Sequence, residues 1–425
     1  MSRRLPLLSL FAADAISVTG NVLAMVAIPW FVLETTDSAA MTGLVAFFTA
    51  GATVVASFFG GTLVDRVGYR TASVVSDIAS GISIAAIPLV FVLAGNRIET
   101  WVLIAFVFLG ALLDAPGTAA RTSLLPDVAE ISGTSLERVT GLSQAIRRGA
   151  TMLGAPIGGG LILLVGTHGV LLIDAVSFGV SAALVWFLIP RPRREQQAGE
   201  ALAPTARSSY LTDLKDGLRF IWADRLARAI IATIMLTNFL DAPIFAVILP
   251  VYVKEIYGSP AQLGILLGVF GAAALAGALL FGAIGQRLPR RLTFGLAFVV
   301  IGLPFWVLAL TPPFWVALAG SALTGLAAGP INPILHTVIF ERVPADMRGR
   351  VIGPLTAGAW VAMPLGMLVA GFVSEEFGVV AALVGIAAAY MVVTATIFLN
   401  PAMREMDRRP AGGPGATTPD GAVPP

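Results

Sequence analysis

Five aspartates lie well inside long apolar runs of this 425-residue chain: Asp14, Asp77, Asp114, Asp174 and Asp241. Burying a carboxylate among apolar groups is costly unless it has a function or a partner, so these acids are candidates for carrying protons. The alternative is that each acid pairs with Asn, Ser or Arg and holds the structure together. We favour this alternative for Asp114 and Asp174, and most strongly for Asp77, which lies near the end of its run and one helical turn from Ser80. The four acids other than Asp77 remain proton-coupling candidates.

Spacing along the chain connects two of these acids with other polar residues. Asp14 and Asn21 are seven residues apart, which places them on one helical face about 10 Å apart. Asp241 precedes Pro250 almost as Asn21 precedes Pro29, so we expect a pseudo-symmetric polar pair facing a central cavity. Mobile Met and flat aromatic rings suit a pocket that accepts many ligands, although ordinary packing explains such residues equally well. The candidates for lining this cavity are Asn21, Met25, Asn238, Phe239, Phe245 and Trp360.

The elements that must position these residues are membrane-spanning helices. The chain is 57% hydrophobic and 12% charged, whereas soluble domains are about 25% charged. Stretches of about 20 apolar residues cross a hydrocarbon core of roughly 30 Å, and backbone polar groups there must pair within a helix. Twelve such stretches lie near 6–33, 40–63, 71–94, 100–125, 140–166, 168–190, 227–252, 262–286, 291–311, 313–340, 349–374 and 378–399. We therefore predict an all-α membrane protein with twelve transmembrane helices.

The basic residues predict the orientation of these helices. If the N-terminus is cytoplasmic, only Arg97 and Lys254 lie on the outer side, and the other 25 of the 27 basic residues lie in or beside inner loops. Both termini are then cytoplasmic, and the net charge of +2 indicates topology rather than a nucleic-acid partner. Zero cysteines exclude disulfides and thiolate sites, and two distant histidines make a metal site improbable.

The chain reads as two six-helix halves, residues 1–190 and 226–400. Trp101 and Pro116 recur 214 residues later as Trp315 and Pro330, and Pro156 has a counterpart in Pro364. Such landmarks predict a tandem repeat whose prolines break or bend helices. Residues 191–225 are expected to form a cytoplasmic linker with an amphipathic helix. Residues 401–425 are expected to be a disordered tail.

A charged turn separates the second and third apolar stretches. It contains Gly61, Asp65, Arg66, Gly68 and Arg70, and a degenerate copy spans Gly282–Arg291. The glycine permits close helix approach, and the charges can pair across helices, so the turn is a candidate cytoplasmic gate. The alternative is an ordinary basic loop. Arg121, Arg147 and Arg148 flank the same side and are expected to pair there with Asp65, Asp114 or Asp127, or simply to set the topology.

This turn resembles the signature loop of the major facilitator superfamily, in which a second-half remnant is typical. The helix-five motif of its proton-coupled drug antiporters is similar to Gly154-Ala-Pro156-Ile-Gly158-Gly159. Smaller stretches resemble the macrolide-efflux and Tap type of drug:proton antiporter, namely Leu172–Phe178, Gly329–Pro333, Met347–Val351 and Pro401–Asp407. The resemblance covers nearly all of residues 5–407 and implies that family's fold, with two pseudo-symmetric halves.

Two positions depart from the family pattern. The intramembrane Arg that many proton-coupled drug antiporters carry in helix four is absent from Phe108–Asp114. The Gly-Asp of Tap-type helix one reads Gly20-Asn21 here. Asp14, on the same face as Asn21, is a candidate to replace the missing acid.

These observations favour a secondary multidrug efflux transporter that exports small amphipathic drugs or antibiotics in exchange for protons. We expect a monomer in the cytoplasmic membrane of a bacterium that conveys antibiotic resistance and uses the proton gradient without a cofactor. Lys215 and Lys254 are the only lysines, and neither follows a phosphate-binding loop, so ATP is not expected as fuel. Intramembrane protease motifs are absent, which argues against an enzyme. Export of an endogenous siderophore or lysolipid, and a non-transporting receptor or scaffold, remain alternatives.

Overall fold

The computed structural model describes residues 4–190, 210–344 and 347–407, without the side chains of 58–63, 65, 66, 210–214 and 349. All regular elements in this part of the chain are helices. They are α1 Leu5–Thr36, α2 Ala39–Val67, α3 Tyr69–Leu93, α4 Thr100–Ser123, α5 Leu125–Ser132, α6 Leu136–Leu188, α7 Tyr210–Ala223, α8 Arg225–Pro243, α9 Pro260–Ile284, α10 Arg290–Ala309, α11 Phe314–Ala328, α12 Ile331–Arg342, α13 Arg348–Phe377 and α14 Val379–Leu399. The predicted helical membrane fold is therefore confirmed at the level of its class.

Among the described residues, eleven helical elements are long and apolar enough to cross a membrane. Helix α6 has 53 residues and would be about 80 Å long if straight, more than twice a hydrocarbon core of roughly 30 Å. Its backbone leaves the helical conformation at Gly166, with φ 72° and ψ 171°, a region that glycine alone adopts at little cost. One of the eleven elements is thus long enough for two crossings.

Prolines interrupt the helices less than the sequence suggested. Pro116 and Pro364 lie inside α4 and α13, which continue through them, so the expectation that Pro116 breaks its helix was wrong. Pro330 does end a helix, because the turn at Gly329 and Pro330 separates α11 from α12. Helix α8 instead continues through π-helical Ile244–Ile248, an α-helical turn at Leu249–Tyr252 and π-helical Val253–Tyr257. Such wide turns occur frequently at functional sites.

The linker and the tail are more ordered than predicted where they are described. Residues 191–209 lie outside the described residues, but α7 forms the predicted helix before α8. Pro401–Asp407 forms a 3-10 helix whose Met403 and Met406 are buried in the core. The prediction of disorder from 401 was therefore wrong for this segment, because two apolar side chains in it find a packed site. Residues 408–425 lie outside the described residues.

Helices before the linker contact helices after it along two seams. Helix α2 packs on α13, where a Cβ on Gly43 would lie 2.7 Å from Gly371 Cα. Helix α6 packs on α9, where a Cβ on Gly159 would lie 2.4 Å from the Pro260 carbonyl oxygen. Small residues that let backbones approach this closely are the usual basis of helix association in membranes.

Gly43→Leu should separate α2 from α13, since the added side chain meets backbone rather than flexible atoms. We expect a loss of about 1–3 kcal/mol, the usual cost of overpacking, measured as a lower melting temperature of the purified protein in detergent. Gly51→Leu is the matched control on the same helix, because a Cβ on Gly51 meets nothing within 4 Å. Equal melting temperatures for the two variants would contradict the packing described here.

Candidate functional site

Arg121, on α4, is the centre of a buried polar cluster. Its Nη1 donates to Asp77 Oδ1 at 2.6 Å, and neither side chain is exposed. Its Nη2 donates to Ser17 Oγ at 3.1 Å and to Thr118 Oγ1 at 3.3 Å. Ser181 Oγ donates to the other Asp77 oxygen at 2.7 Å. Asp77 is therefore fully bonded across α3, α4 and α6, as expected of a structural acid.

This pairing differs from the predicted one. We expected Asp65, Asp114 or Asp127 as the partner of Arg121, but its bonded partner is Asp77. The reason is the close packing of α3 on α4 at Gly117, where a Cβ would lie 2.9 Å from Ser76 Cβ and 3.5 Å from Asp77 Oδ1. A larger residue at 117 would push Asp77 out of reach of the guanidinium.

Asp14 is held by two arginines. Its Oδ1 accepts a hydrogen bond from Arg147 Nη2 at 2.6 Å and lies 3.5 Å from Arg121 Nε. Both cations stabilise the ionised carboxylate through charge and, for Arg147, through a charge-assisted hydrogen bond. Asp14 therefore joins α1 to α4 and α6 at one end of this cluster, which weakens its candidacy as a proton carrier.

Asn21 and Asp114 form the next layer of the cluster. Asn21 Nδ2 donates to Asp114 Oδ2 at 3.0 Å, joining α1 to α4. The other oxygen, Asp114 Oδ1, is buried without a hydrogen-bond partner among the described residues. Asn21 was predicted to line the central cavity, but its side-chain amide instead binds Asp114.

Asp174, on α6, lies on the other side of the Gly20-Asn21 dipeptide. Its Oδ1 accepts a hydrogen bond from Ser177 Oγ at 3.4 Å, and its Oδ2 is buried without a partner in the described part of the chain. A Cβ on Gly20 would lie 2.3 Å from Asp174 Oδ1. Only glycine at position 20 leaves room for this carboxylate against α1.

The cluster divides its acids into two kinds. Asp14 and Asp77 contact guanidinium groups directly. Asp114 and Asp174 contact only a neutral amide and a neutral hydroxyl. Each keeps an unbonded buried oxygen, as Asp14 also does at Oδ2. An ionised carboxylate in such surroundings is unstable unless it binds a proton or another cation. Asp114 and Asp174 are therefore the acids of this cluster that have no directly bonded base among the described residues.

Asp241 belongs to a separate site beyond the linker. Its Oδ2 accepts a hydrogen bond from the fully buried Tyr390 at 3.4 Å, which joins α8 to α14. No guanidinium or ammonium group contacts Asp241 among the described residues. Asn21 and Asp241, which were predicted to be a pseudo-symmetric pair, therefore have different partners. Asn21 binds Asp114, and Asp241 binds Tyr390.

An apolar cavity of about 310 Å³ lies between α1, α2, the widened part of α8 and α13. It includes two of the predicted lining residues, Met25 and Phe245. The remaining lining comes from Ala24, Ile28, Pro29, Thr42, Val45, Ala46, Thr49, Ala50, Ala242, Ala246 and Met367. Sequence reasoning missed the α2 wall, although the seven-residue spacing of Thr42 and Thr49 places both on one helical face.

The other predicted cavity residues lie elsewhere. Asn238 Nδ2 donates to the Ala359 carbonyl oxygen at 2.9 Å and so ties α8 to α13. A Cβ on Gly366 would lie 2.0 Å from the Phe239 carbonyl oxygen, so Phe239 lies at the same helix contact. Trp360, on α13, is 39% exposed and is not part of the cavity lining described above.

The described residues of the charged turn make contacts within the first six helices. Gly68 has φ 91° and links α2 to α3, a conformation that favours glycine. Arg70 stacks on the Trp186 ring at 4.8 Å and donates to the Trp186 carbonyl oxygen. The side chains of Gly61, Asp65 and Arg66 lie outside the described residues, and Arg148 is exposed.

The Gly154–Gly159 motif serves helix packing. A Cβ on Gly154 would lie 2.9 Å from Val22 Cγ1 of α1, and Pro156 packs against Gly268 of α9. Pro156 lies inside α6, and the break in α6 comes at Gly166. The motif therefore brings α1, α6 and α9 together beside the cavity rather than interrupting its own helix.

A polar latch closes the two halves at the end of the bundle far from this turn. Glu375 Oε2, at the end of α13, accepts hydrogen bonds from Ala39 N at 2.7 Å, Ser38 Oγ at 3.1 Å and Ala40 N at 3.2 Å. The carboxylate thus satisfies free N–H groups at the start of α2, where the helix dipole favours negative charge.

In the second contact of the latch, the charged side chain from the second half is the donor rather than the acceptor. Lys254 donates to Asp37 Oδ1 at 2.6 Å and to the Leu33 carbonyl oxygen at 2.6 Å. The hydrogen bond from Lys254 lowers the pKa of the Asp37 carboxyl. The latch residues, Asp37, Lys254 and Glu375, line a polar cavity of about 480 Å³.

Comparison with known proteins places this arrangement among membrane transporters. The Major Facilitator Superfamily model matches residues 10–241 and 231–422. The multidrug efflux pump Tap of Mycobacterium tuberculosis H37Rv is 33% identical over 410 residues, covering 96% of each chain. Macrolide efflux protein A of Streptococcus pyogenes is 21% identical over 385 residues, covering 88% of this chain and 91% of that one.

The fold is also similar to a solved structure. The nucleoside transporter NupG superposes with a TM-score of 0.76 over 92% of this chain and 98% of that one, at 12% identity. At this identity the likeness concerns the fold alone.

Arg121→Met should destabilise the protein strongly, because it leaves Asp77 buried without its cation. We expect a loss of about 3–5 kcal/mol, typical of a broken buried ion pair, seen as a lower melting temperature in detergent. Arg148→Met is the control, since this exposed arginine should change stability by only about 0.5 kcal/mol. The double variant Arg121→Met/Asp77→Asn should recover part of the loss; a double variant as unstable as the sum of both singles would refute the pairing.

Proposed function

The chain belongs to the Major Facilitator Superfamily, as its motifs predicted, and from this premise we propose that it is a proton-coupled multidrug exporter. It is a multi-pass bacterial membrane transporter and not an enzyme, as expected from the sequence. The observation that carries the proposal is the pair of buried acids, Asp114 and Asp174, that flank Gly20-Asn21 without a basic partner. The proton gradient supplies the energy, and no cofactor is required.

We assign twelve crossings with both termini in the cytoplasm. The two parts of α6 on either side of Gly166 count as separate crossings, which raises eleven apolar elements to twelve. The distribution of Lys and Arg supports this orientation and the cytoplasmic membrane as the location. The cluster around Arg121 then lies toward the cytoplasm, and the latch at Glu375 lies on the outer side.

Asp114 and Asp174 are the proposed proton carriers. Within the described part of the chain neither carboxylate contacts a cation directly, although the charges of Arg121 and Arg147 act on Asp114. Protonation removes a buried charge, so each carboxylate can bind a proton from one side and release it when the surroundings change. Asp14 and Asp77 form ion pairs with Arg147 and Arg121, and these pairs hold the helices in place. Asp241, with Tyr390 alone, is the proposed site in the second half.

Helix α1 connects these acids to the substrate cavity. Asn21 contacts Asp114, and Met25, one turn further along the same helix, lines the cavity. A change in the charge of Asp114 therefore alters the hydrogen bond of a residue whose neighbour touches the substrate. This short path supports coupling between proton release and drug binding.

Three contacts between the halves support the proposal of alternating access. The outer latch and the α2–α13 and α6–α9 seams hold the halves together on one side in this state. Rocking of the halves would break the latch and open the cavity to the outside, as in other transporters built from repeats. The residues of the charged turn, Gly61 to Arg70, are the proposed inner gate.

The proposed substrates are small amphipathic drugs. The cavity is almost entirely apolar, and its two methionines, Met25 and Met367, can adapt to different shapes. Its volume of about 310 Å³ in this state lies at the lower end of small-molecule pockets, roughly 300–1,000 Å³. The Tap relative is a multidrug efflux pump, which supports drugs over an endogenous metabolite as the cargo.

Asp114→Asn and Asp174→Asn should each abolish proton-driven drug export while leaving the protein folded, because the amide can no longer exchange a proton. The assay is drug transport in proteoliposomes with an imposed pH gradient, across a panel of tetracyclines, macrolides, aminoglycosides and cationic dyes. Glu376→Gln, an exposed acid, is the matched control and should transport normally.

The outcomes of this assay separate the candidates. Normal export by both the Asp114 and Asp174 variants, with export lost in Asp241→Asn, would move the coupling site to the second half. Absence of any gradient-driven transport by the wild-type protein across the panel would contradict the exporter proposal itself.

Glu375→Ala should open the outer side, because it removes three hydrogen bonds to a charged group. The chain has no cysteine, so a single Ala46→Cys in the cavity can report access to a membrane-impermeant maleimide added outside cells. We expect labelling to rise by about tenfold, which corresponds to about 1.4 kcal/mol, because Glu375 is exposed and water replaces most of its three hydrogen bonds. Glu376→Ala is the neighbouring control, and unchanged labelling in Glu375→Ala would argue against the latch.

A further inference from the structure

Helix α7 lies against the first turns of α13. A Cβ on Gly217 would lie 1.8 Å from the Arg350 carbonyl oxygen, so the two backbones are in direct contact. Ile221, one turn further along, is buried in a cluster with Val343, Val351 and Leu355. One face of α7 is therefore fixed to the transmembrane bundle.

This contact places α7 at the edge of the membrane. Helix α12 ends at Arg342 and α13 begins at Arg348, so residues 343–355 mark the point where the chain leaves and re-enters the bundle. Helix α7 has 14 residues and a length of about 21 Å, too short to span roughly 30 Å of hydrocarbon. It is suited to lie along the membrane surface.

The described acids of this region are bonded to the bundle side. Asp216 lies 3.8 Å from Arg350 in an ion pair. Asp224 accepts from Arg342 Nε at 2.6 Å and caps the start of α8 at Ala227 N. These contacts neutralise the negative charge next to α7.

The opposite face of α7 combines exposed bases with exposed apolar groups. Lys215, Leu218, Arg219 and Trp222 follow one another at helical spacing and form what we call the outer stripe of α7. Trp222 is 69% exposed and Leu218 is 40% exposed, whereas Gly217 and Ile221 on the other face are buried. No described acid pairs with Lys215 or Arg219.

We propose that the outer stripe of α7 binds the headgroups of anionic phospholipids. Trp rings are favoured at the membrane interface, where their apolar body is buried and their N–H stays wet. Lys and Arg beside them are attracted to the negatively charged cytoplasmic leaflet, and their stems cover apolar surface while the charges reach phosphate. Two bases and two apolar side chains on one stripe match this surface in charge and in polarity.

The absence of native cysteine allows a direct test in the full-length protein. Ala223→Cys, at the end of α7, carries a nitrobenzoxadiazole label in nanodiscs of phosphatidylcholine with a minor fraction of phosphatidylglycerol. In separate samples, a nitroxide near the headgroup end of the acyl chain is placed on one lipid or the other at equal mole fraction. We expect nitroxide phosphatidylglycerol to quench the label about twofold more than nitroxide phosphatidylcholine, because the bases enrich anionic lipid at the stripe.

Matched variants identify the residues responsible. Lys215→Gln/Arg219→Gln should make the two lipids quench equally, whereas Arg4→Gln/Arg138→Gln, which removes two exposed arginines elsewhere, should keep the preference. Equal quenching in the parent protein, or a preference that survives Lys215→Gln/Arg219→Gln, would overturn the proposal. Quenching by aqueous iodide but by neither lipid would also overturn it, since the stripe would then face solution. The readout is independent of transport, so it does not depend on the proposed function.

Discussion

The cost of burying charge in an apolar interior governs this molecule. Arg121 lies fully inside the bundle, and its guanidinium is stable there because Asp77, Ser17 and Thr118 surround it and Asp14 lies nearby. Four helices, α1, α3, α4 and α6, must keep their positions for these contacts to exist. Removing Arg121 or Asp77 leaves the other buried charge without its nearest partner, so the cluster specifies how the first six helices pack as much as their apolar surfaces do.

The same constraint separates acids that hold the structure from acids that can work. Asp77 accepts hydrogen bonds from Arg121 and Ser181 through its two oxygens and so ties α3 to α4 and α6. Asp114 and Asp174 lie in the same group of helices as Asp77, yet they contact neutral groups. Each keeps one carboxylate oxygen without a hydrogen-bond partner among the described residues. Gly20 leaves room for the Asp174 carboxylate, because a side chain at position 20 would displace it. Small residues recur at the α2–α13 and α6–α9 seams, where close backbone contact lets the halves meet without a hydrophobic driving force.

Much of this could be predicted, and the errors have a common cause. Long apolar runs predicted helices, because backbone polar groups inside the bilayer must form hydrogen bonds with one another. The charged turn with its degenerate copy predicted the family. Met25 and Phe245 line the apolar cavity, whereas Phe239, chosen for the same polar neighbours as Phe245, does not belong to this lining. Arg121 was assigned to an inner loop and to the wrong partner, because its sequence neighbours resemble a helix end. Pro401–Asp407 was assigned to the tail because its packing partners lie far away in sequence.

By itself, the sequence determined the helical membrane fold, its duplication and its family, since these depend on composition, periodicity and motifs that act locally along the chain. The tertiary structure decided which acid faces which base. That choice depends on which residues of α3, α4 and α6 lie at the same height along the bundle after packing. Glycines such as Gly20 and Gly117 influence this alignment because they permit close approach of the helices. The identity of the acids with no cation, Asp114 and Asp174, is therefore a property of the packed bundle, because a charge is unpaired only with respect to neighbours in space.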